Sequence, residues 1–237
     1  MPVCLALLLF GAAALALYLA EKLRHYSVKA VLRKALVSAL FVALAACAWY
    51  ISSESVGTHI LDLFVVTGLV FGLLGDIWLD LKYVFPQADE PFTYAGFAAF
   101  GIGHVLYCAG LILQFAPEKK PAWVLLPLLI AALFGLGNVL MEKPMKLCYG
   151  KFKTVVLAYG ALLFSTVLLS GSFALEQGFR CLSLNLFFAG AILFAVSDLI
   201  LSGTYFGEGR ERPIDLLLNY LCYYAAQFLI ALSLLFL

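Results

Sequence analysis

Charged residues are scarce in this sequence. Asp, Glu, Lys and Arg make up only 12% of its 237 residues, whereas 65% are hydrophobic and the mean hydropathy is +1.04. An ordinary soluble domain has about a quarter of its residues charged and about half apolar. The net charge is only +1, so there is no excess of positive charge with which to bind a nucleic acid. These figures exclude an ordinary soluble protein and predict a polytopic membrane protein.

The sequence also lacks the patterns of a metal site or a disulfide framework. Its six cysteines include no CxxC pair, and most lie within apolar runs as small hydrophobic side chains. We therefore expect no disulfide framework, no bound metal and no cofactor. No Lys or Arg precedes the first apolar run, MPVCLALLLF, whereas a cleaved signal peptide usually begins with a basic region. We interpret this run as a retained first span.

Long apolar runs recur along the whole chain. A helix needs about 20 apolar residues to cross the hydrocarbon core of a bilayer. Short segments with charge, Pro or Gly separate the runs, which predicts eight transmembrane helices in one bundle over residues 1–237 and no soluble domain. The predicted spans lie near residues 3–20, 34–51, 60–83, 93–115, 122–140, 154–173, 182–202 and 214–236.

Lysine and arginine are concentrated on one side of this topology. Twelve of the 15 lie in or beside the first, third, fifth and seventh loops. Cytoplasmic loops carry an excess of these residues, so we expect that face to be cytoplasmic and both termini to lie on the opposite side. The three on the opposite side are Lys119, Lys120 and Arg180.

Three aspartates lie inside runs that otherwise suit lipid. A carboxylate at the centre of a transmembrane helix costs about 2.5–3.5 kcal/mol, and such residues face a bundle interior or a water-filled cavity. Asp76 and Asp80 are four residues apart and therefore share a helix face. We interpret Asp80, which is nearer the end of its span, as an interfacial neighbour. Asp76 and Asp198 are the main candidates for a functional site.

A weak internal duplication relates these two aspartates. Asp76 in GDIWLDL and Asp198 in SDLILSG are 122 positions apart, and the same shift carries the first four spans close to the last four. An even number of spans in each half gives parallel repeats. The expected fold is therefore an all-α polytopic bundle, and a two-fold repeat of four helices would bring Asp76 and Asp198 toward each other.

Other polar residues are predicted to converge on the same cytoplasmic half of the bundle. Each also has a structural interpretation: a buried histidine bonded to backbone, a lysine that reaches the surface, or Tyr and Gln side chains that bond between helices. These residues are Lys34 in the second span, His104 and Tyr107 in the fourth, and Asn219, Tyr223, Tyr224 and Gln227 in the last.

Four segments make the chain resemble the YhhN-like family of eight-span membrane proteins, whose animal members include lysoplasmalogenase. The order of motifs is also similar: a Lys that opens the second span, then Gly-Asp, His-x-x-Tyr, Ser-Asp and Tyr-x-x-Gln. The resemblance covers almost the whole chain. The segments are GLVFGLLGDIWLDL, GFAAFGIGHVLY, GAILFAVSDLIL and NYLCYYAAQFLIALS.

The resemblance implies hydrolysis of the vinyl-ether bond of lysoplasmalogens to a fatty aldehyde and a glycerophospho-ethanolamine or -choline. Asp76 and Asp198 would be the key carboxyls, one a protonated acid and the other an ionised group; the sequence leaves open which is which. His104 and Tyr107 would orient a carboxylate or a water, and Lys34 would pair with the phosphate of the lysophospholipid substrate. Supporting roles are expected for Asp80, Tyr224 and Gln227.

The residues alone leave two other classes open. Intramembrane Asp and His also mark proton relays, so a proton-coupled transporter of a small or lipid-like solute is the main alternative. A non-catalytic scaffold or lipid sensor is the other. In each case we expect a multi-pass protein in contact with the lipid bilayer, and we expect the membrane to be that of the endoplasmic reticulum.

Overall fold

The computed structural model describes residues 1–24, 27–56, 59–116, 120–207 and 212–237. Eight helices in these ranges are long and apolar enough to cross a membrane, which confirms the predicted all-α polytopic fold. They are α1 (Pro2–Lys22), α2 (Val28–Val56), α3 (Ile60–Val84), α4 (Asp89–Phe115), α5 (Ala122–Leu140), α6 (Lys153–Glu176), α7 (Leu182–Phe206) and α8 (Pro213–Ser233).

Two helices begin earlier than the predicted spans. Helix α2 begins at Val28 rather than at residue 34, and α4 begins at Asp89 rather than at residue 93. Hydropathy marks only the apolar part of a helix, whereas the helix continues through the charged turns that precede it. The additional turn of α2 matters for the site, because Lys34 then lies well inside the helix rather than at its first residue.

Proline and polar side chains set several helix ends. Pro2 and Pro213 lie in the first turns of α1 and α8, where the missing N–H breaks no hydrogen bond. Helix α3 begins with a capping interaction in which the backbone N–H of His59 donates to Asp62 at 2.9 Å. It ends before Pro86, because proline disfavours the helical conformation of the residue that precedes it.

Large apolar side chains cover the outside of the bundle. Leu9 and Phe10 on α1 and Leu129 and Leu133 on α5 each expose more than 60% of their surface. A water-facing surface of this kind would associate with other apolar surfaces, whereas lipid tails are as apolar as these side chains. The exposed surface is therefore suited to contact with the bilayer.

The helices pack as two related halves. In the first half α1 packs on α2 and α3 packs on α4, and in the second half α5 packs on α6 and α7 packs on α8. Between the halves, α4 contacts α6 and α8 contacts α2. Helix α2 corresponds to α6 and α4 corresponds to α8, so each of these contacts joins the fourth helix of one half to the second helix of the other. Two parallel four-helix repeats predict this pattern.

The end of the bundle that joins α1 to α2 and α3 to α4 remains the more basic one. Lys22 and Lys34 are only 5% and 4% exposed and pair with carboxylates, so neither acts as a surface charge. Without them, ten lysines and arginines lie at this end and three at the other; of these, Lys119 and Arg210 lie outside the described residues. The positive-inside rule therefore still predicts that this end is cytoplasmic.

Gly135 allows α5 to approach α6 closely. A Cβ at position 135 would lie 2.8 Å from the backbone oxygen of Leu157 and 2.9 Å from the Cβ of Ala161. Gly135→Ala is expected to lower the unfolding free energy by about 1–3 kcal/mol, measured as a lower melting temperature in detergent. Gly137→Ala is the matched control, because no described atom outside its own turn lies within 4 Å of that Cβ position. Equal melting temperatures for the two variants would contradict the close contact.

Candidate functional site

Asp76 lies on α3 within a cluster of hydrogen-bond donors. Its carboxylate accepts the hydroxyl of Ser38 on α2 at 2.5 Å and the hydroxyl of Tyr223 on α8 at 2.8 Å. The ammonium of Lys34, one turn before Ser38 on α2, lies 3.2 Å from its other oxygen. Asp76 exposes only 2% of its surface, and these three partners compensate the loss of water around a buried charge.

Asp80 is also buried, which corrects its interpretation as an interfacial neighbour. It exposes 2% of its surface and accepts hydrogen bonds from Lys22 at 2.8 Å, Tyr18 at 3.2 Å and Lys34 at 3.4 Å. Asp80 lies close to the end of α3, as predicted, but α1 and α2 cover that end. Position along a helix indicates depth, whereas the packing of neighbouring helices determines exposure.

Four charged residues form an alternating row, which we call the ion row. Lys34 lies between the two aspartates, 3.2 Å from Asp76 and 3.4 Å from Asp80, and Lys22 lies beyond Asp80. Asp76 and Asp80 share a face of α3 because they are four residues apart. Each charge in the row therefore has a partner of opposite sign. The row comprises Lys22, Asp80, Lys34 and Asp76.

The environment of Asp198 contains hydroxyl groups and no ion pair. The hydroxyl of Tyr159 on α6 donates to one carboxylate oxygen, and the hydroxyl of Ser197 lies 3.5 Å from the other. Among the described residues, no lysine or arginine forms a salt bridge with Asp198. The side chain is partly buried. The two candidate carboxyls therefore differ in charge compensation.

The hydroxyl partners of the two aspartates occupy related positions. Ser38 on α2 donates to Asp76 on α3, and Tyr159 on α6 donates to Asp198 on α7. The shift of 122 residues that relates the aspartates carries Ser38 to position 160, one residue from Tyr159. A corresponding pair of neighbouring helices therefore holds a carboxyl in each half of the bundle: α2 and α3 in the first half, and α6 and α7 in the second.

The ion row has no counterpart in the second half. The shift of 122 residues carries Lys34 to Val156 and Asp80 to Ser202. The duplication therefore preserves the carboxyl and places a hydroxyl partner within one residue of the related position, but it does not preserve the cation. This difference is the structural reason for the unlike surroundings of the two aspartates.

Asp76 and Asp198 line one cavity, as the duplication predicted. The cavity measures about 1070 Å³ including its open mouth, and Lys34 and Tyr159 also line it. The remaining wall is largely apolar and aromatic. A few polar groups on an apolar wall are typical of a site for a small molecule or a lipid. The apolar part of the wall includes Phe97, Phe100, Val156, Leu163 and Phe164.

His104 and Tyr107 lie behind this wall. Nδ1 of His104 lies 3.0 Å from the Thr166 hydroxyl oxygen, and the histidine ring packs edge-on against the rings of Tyr107 and Tyr159. In the described part of the chain, neither residue forms a hydrogen bond with a candidate aspartate. His104 contacts the site through packing on Tyr159, which itself donates to Asp198, and Tyr107 packs on His104.

Gln227 and Tyr224 are each linked to Asp76 through one intervening hydroxyl group. The side-chain amide of Gln227 donates to the hydroxyl of Tyr223 at 2.9 Å, and this hydroxyl donates to Asp76. Tyr224 is fully buried, and its hydroxyl lies 3.5 Å from that of Ser38, which also donates to Asp76. Helix α8 therefore holds Asp76 directly through Tyr223 and indirectly through Gln227 and Tyr224.

Sequence reasoning missed three residues of the site. Ser38 follows Lys34 by four residues, a spacing that places both on one helix face and could have identified Ser38. Tyr159 is a single hydroxyl in an apolar run, without a nearby charge to single it out. Asn138 is an amide in an apolar span without a charged neighbour, and it lines the cavity.

The reacting groups that the cavity offers are two carboxyls, several hydroxyls and an ammonium. Within the described ranges, no group of three or more His, Cys, Asp or Glu residues is placed to hold a metal ion. All six cysteines are free thiols. The groups present are those of acid–base chemistry.

Comparison with known proteins gives one match. A family model described as the YhhN family matches residues 30–234, which include both candidate aspartates and Lys34. Searches of curated proteins and of solved structures gave no match at the threshold of significance. Because the family model covers most of the 237 residues, the earlier resemblance is confirmed and the chain belongs to the YhhN family.

Proposed function

We propose that the chain acts as a lysoplasmalogenase, an ether hydrolase that cleaves the vinyl-ether bond of lysoplasmalogens. The observation that carries this proposal is a single cavity lined by two carboxyls with unlike surroundings. Asp76 lies beside the ammonium of Lys34, whereas the partners of Asp198 in the described ranges are the hydroxyls of Tyr159 and Ser197. Family membership is consistent with a hydrolase. The proposed location, the membrane of the endoplasmic reticulum, follows from the resemblance alone.

The chemistry of a vinyl ether explains why two carboxyls suit the reaction. A vinyl ether is stable to base and opens when a proton is added to the carbon beyond the one that bears oxygen. The product of this step is an oxocarbenium ion. Water adds to that cation to give a hemiacetal, which collapses to an aldehyde and an alcohol. The site must therefore supply a proton, a negative charge near the cation and a positioned water, as glycosidases do with two carboxyls.

The charges around the two aspartates support separate roles. Lys34 balances a negative charge on Asp76, so Asp76 is assigned the ionised group that stabilises the cation. Asp198 forms no salt bridge with a cation among the described residues, and it is assigned the neutral acid of the reaction. It donates its proton to carbon, and the resulting carboxylate takes a proton from the attacking water. The acid is thereby restored in each turnover.

The other polar residues are assigned supporting roles. Ser38 and Tyr223 hold Asp76 directly, and Gln227 and Tyr224 hold those two hydroxyls. His104 fixes the ring of Tyr159 by packing, and Tyr107 packs on His104. Asp80 fixes Lys34 from the side opposite Asp76.

The wall of the cavity suits the apolar part of the proposed substrate. Phe97, Phe100 and Leu163 line the same space as the two aspartates. An alkenyl chain that lies along this wall would bring its first two carbons toward the carboxyls. The apolar surroundings would also exclude bulk water, which strengthens the interaction between a carboxylate and the developing cation.

Incubation of the purified protein with a lysoplasmalogen and with its saturated-ether analogue tests the proposed reaction. The expected result is a fatty aldehyde from the first and none from the second, because a saturated ether has no alkene carbon to protonate. Aldehyde from neither compound, or equal cleavage of both, would contradict vinyl-ether hydrolysis.

The alternative of a proton-coupled transporter requires a polar path to the outer end of the bundle. On α3, Val65 and Leu69 lie between Asp76 and the buried Asp62 near that end, and both are fully buried and apolar. Pro127 lies inside α5, but the helix continues through it to Leu140. These features favour a site that opens at one face, and solute uptake into vesicles driven by a proton gradient would reverse that preference.

A further inference from the structure

A second cavity adjoins the first at the cytoplasmic end of the bundle. It measures about 860 Å³ including its mouth. Part of its wall is shared with the cavity that contains the two candidate aspartates, so a ligand in the first cavity has a neighbouring space for another part of the same molecule. The shared residues are Leu201, Tyr205, Asn219 and Tyr220.

Three cationic side chains line the second cavity, and no carboxylate does so among the described residues. Lys22 is held by Asp80 at 2.8 Å, and the guanidinium of Arg212 is held by Asp215 at 2.6 and 2.8 Å. Arg24 is exposed and has no carboxylate partner in the part of the chain that the structure describes. The cavity therefore presents one uncompensated guanidinium beside two compensated cations.

The rest of this wall combines apolar surface with a further source of positive potential. Leu201 and Leu216 line it together with the rings of Tyr83 and Tyr220. Helix α8 begins at Pro213 in the same wall, and the N-terminus of a helix carries a partial positive charge that favours phosphate. An anionic phosphate ester attached to an apolar molecule matches both properties.

We infer that the second cavity binds the phosphate group of a lysophospholipid, with Arg24 as its main ligand. This inference rests on the proposed function, because it assigns a place to the head of the proposed substrate. A guanidinium donates two parallel hydrogen bonds to phosphate oxygens, which makes arginine well suited to this role. The glycerol of the lysolipid then bridges the shared wall, and the ether bond lies in the first cavity.

The surroundings of Lys34 are the reason to assign the phosphate to Arg24 instead. The sequence led us to expect that Lys34 pairs with the phosphate, but its ammonium lies between Asp76 and Asp80 at 3.2 and 3.4 Å. A phosphate there would compete with two carboxylates for one cation and would place like charges in contact. Arg24 imposes neither cost.

Ligand binding by the purified protein in a sugar-based detergent tests this inference without turnover. Two ligands are compared by displacement of a fluorescent ether lysophospholipid: a saturated-ether lysophosphoethanolamine and the matching monoalkylglycerol, which lacks phosphate. Arg24→Gln is expected to weaken binding of the first ligand by about tenfold, the loss of one charge-assisted contact, and to leave the second unchanged. Arg24→Lys should retain part of the preference for phosphate.

Lys29→Gln is the matched control. Lys29 carries the same charge near the start of α2, its side chain is 65% exposed, and it does not line the second cavity. Its replacement should leave both affinities unchanged. Equal weakening of both ligands by Arg24→Gln, or no change in either, would overturn the inference, as would an equal effect of Lys29→Gln.

Inorganic phosphate and glycerophosphoethanolamine, added as competitors, separate a lipid headgroup from a soluble phosphate. If inorganic phosphate binds in a manner that depends on Arg24 while the ether lysolipid does not, the assignment to a lipid headgroup is overturned. Because neither lipid ligand is hydrolysed, the outcome is independent of catalysis. A protein that releases no aldehyde yet shows the preference dependent on Arg24 would contradict the proposed function and support this inference.

Discussion

Replacement of Asp198 by asparagine is expected to lower kcat for aldehyde release by about 10²–10⁴-fold, the usual contribution of a general acid. The amide keeps the size of the side chain and an oxygen that accepts the hydroxyl of Tyr159, but it does not donate a proton to carbon. KM should change little, because the lost group acts on the reacting carbon. Steady-state kinetics of a variant that melts at the wild-type temperature measure the effect.

Asp89→Asn is the matched control for this substitution. Asp89 begins α4, its side chain is 54% exposed, and its only described ion pair is with Lys82 at 3.8 Å, so kcat should equal that of the wild type.

Asp76→Asn should also abolish most turnover, because it removes the anion that stabilises the cation. If Asp76→Asn and Asp198→Asn both kept near-full turnover, the proposed mechanism would be wrong.

Replacement of Asp80 by asparagine is expected to lower the unfolding free energy by about 3–5 kcal/mol, the usual cost of removing one partner of a buried ion pair. Lys22 would lose the carboxylate that it contacts at 2.8 Å while only 5% of it is exposed. Lys34 would keep Asp76 at 3.2 Å. The melting temperature in detergent measures this loss, which should be separable from any loss of activity.

A second substitution tests whether the ion row causes this loss. Lys22→Met combined with Asp80→Asn removes both charges, so the double variant should be more stable than Asp80→Asn alone. Lys120→Met is the surface control, since Lys120 pairs with Glu176 at 2.9 Å but its side chain is 58% exposed; it should cost no more than about 1 kcal/mol. Additive effects of the Lys22 and Asp80 substitutions would contradict a coupled row.

The spans and the main carboxyls were predictable because their signals lie within single segments. An apolar run of about 20 residues indicates a span whatever its neighbours are. Asp76 and Asp198 stand out because each interrupts such a run, and their separation of 122 residues predicted that they would face one space. Both line the same cavity.

The burial of Asp80 and Lys22 was not predictable in the same way. Lys22 was counted among the basic residues of the first loop and Asp80 was placed at the interface, because each lies at the end of an apolar run. Contact between α1 and the end of α3 buries them together. Hydropathy reports the depth of a residue along its own helix, but not which other helix covers it.

Tyr159 and His104 show the same limit at the second carboxyl. His104 was expected to orient a carboxylate or a water, yet it lies against Thr166 and the Tyr159 ring. Tyr159 was not singled out, yet it donates to Asp198. The rotation of α6 against α7 decides which side chain reaches the carboxyl, and no pattern within either helix records that rotation.

Hydrolysis of a lysoplasmalogen in D₂O tests whether a carboxyl of the cavity protonates carbon. Addition of a deuteron to the alkene carbon and attack by D₂O give an aldehyde with one deuterium at carbon 2, while the glycerol carbons gain none. The proposed mechanism predicts this singly labelled aldehyde from the wild-type protein, measured by mass spectrometry, and its loss in Asp198→Asn. Absence of aldehyde, or release of an aldehyde without deuterium at carbon 2, would contradict it.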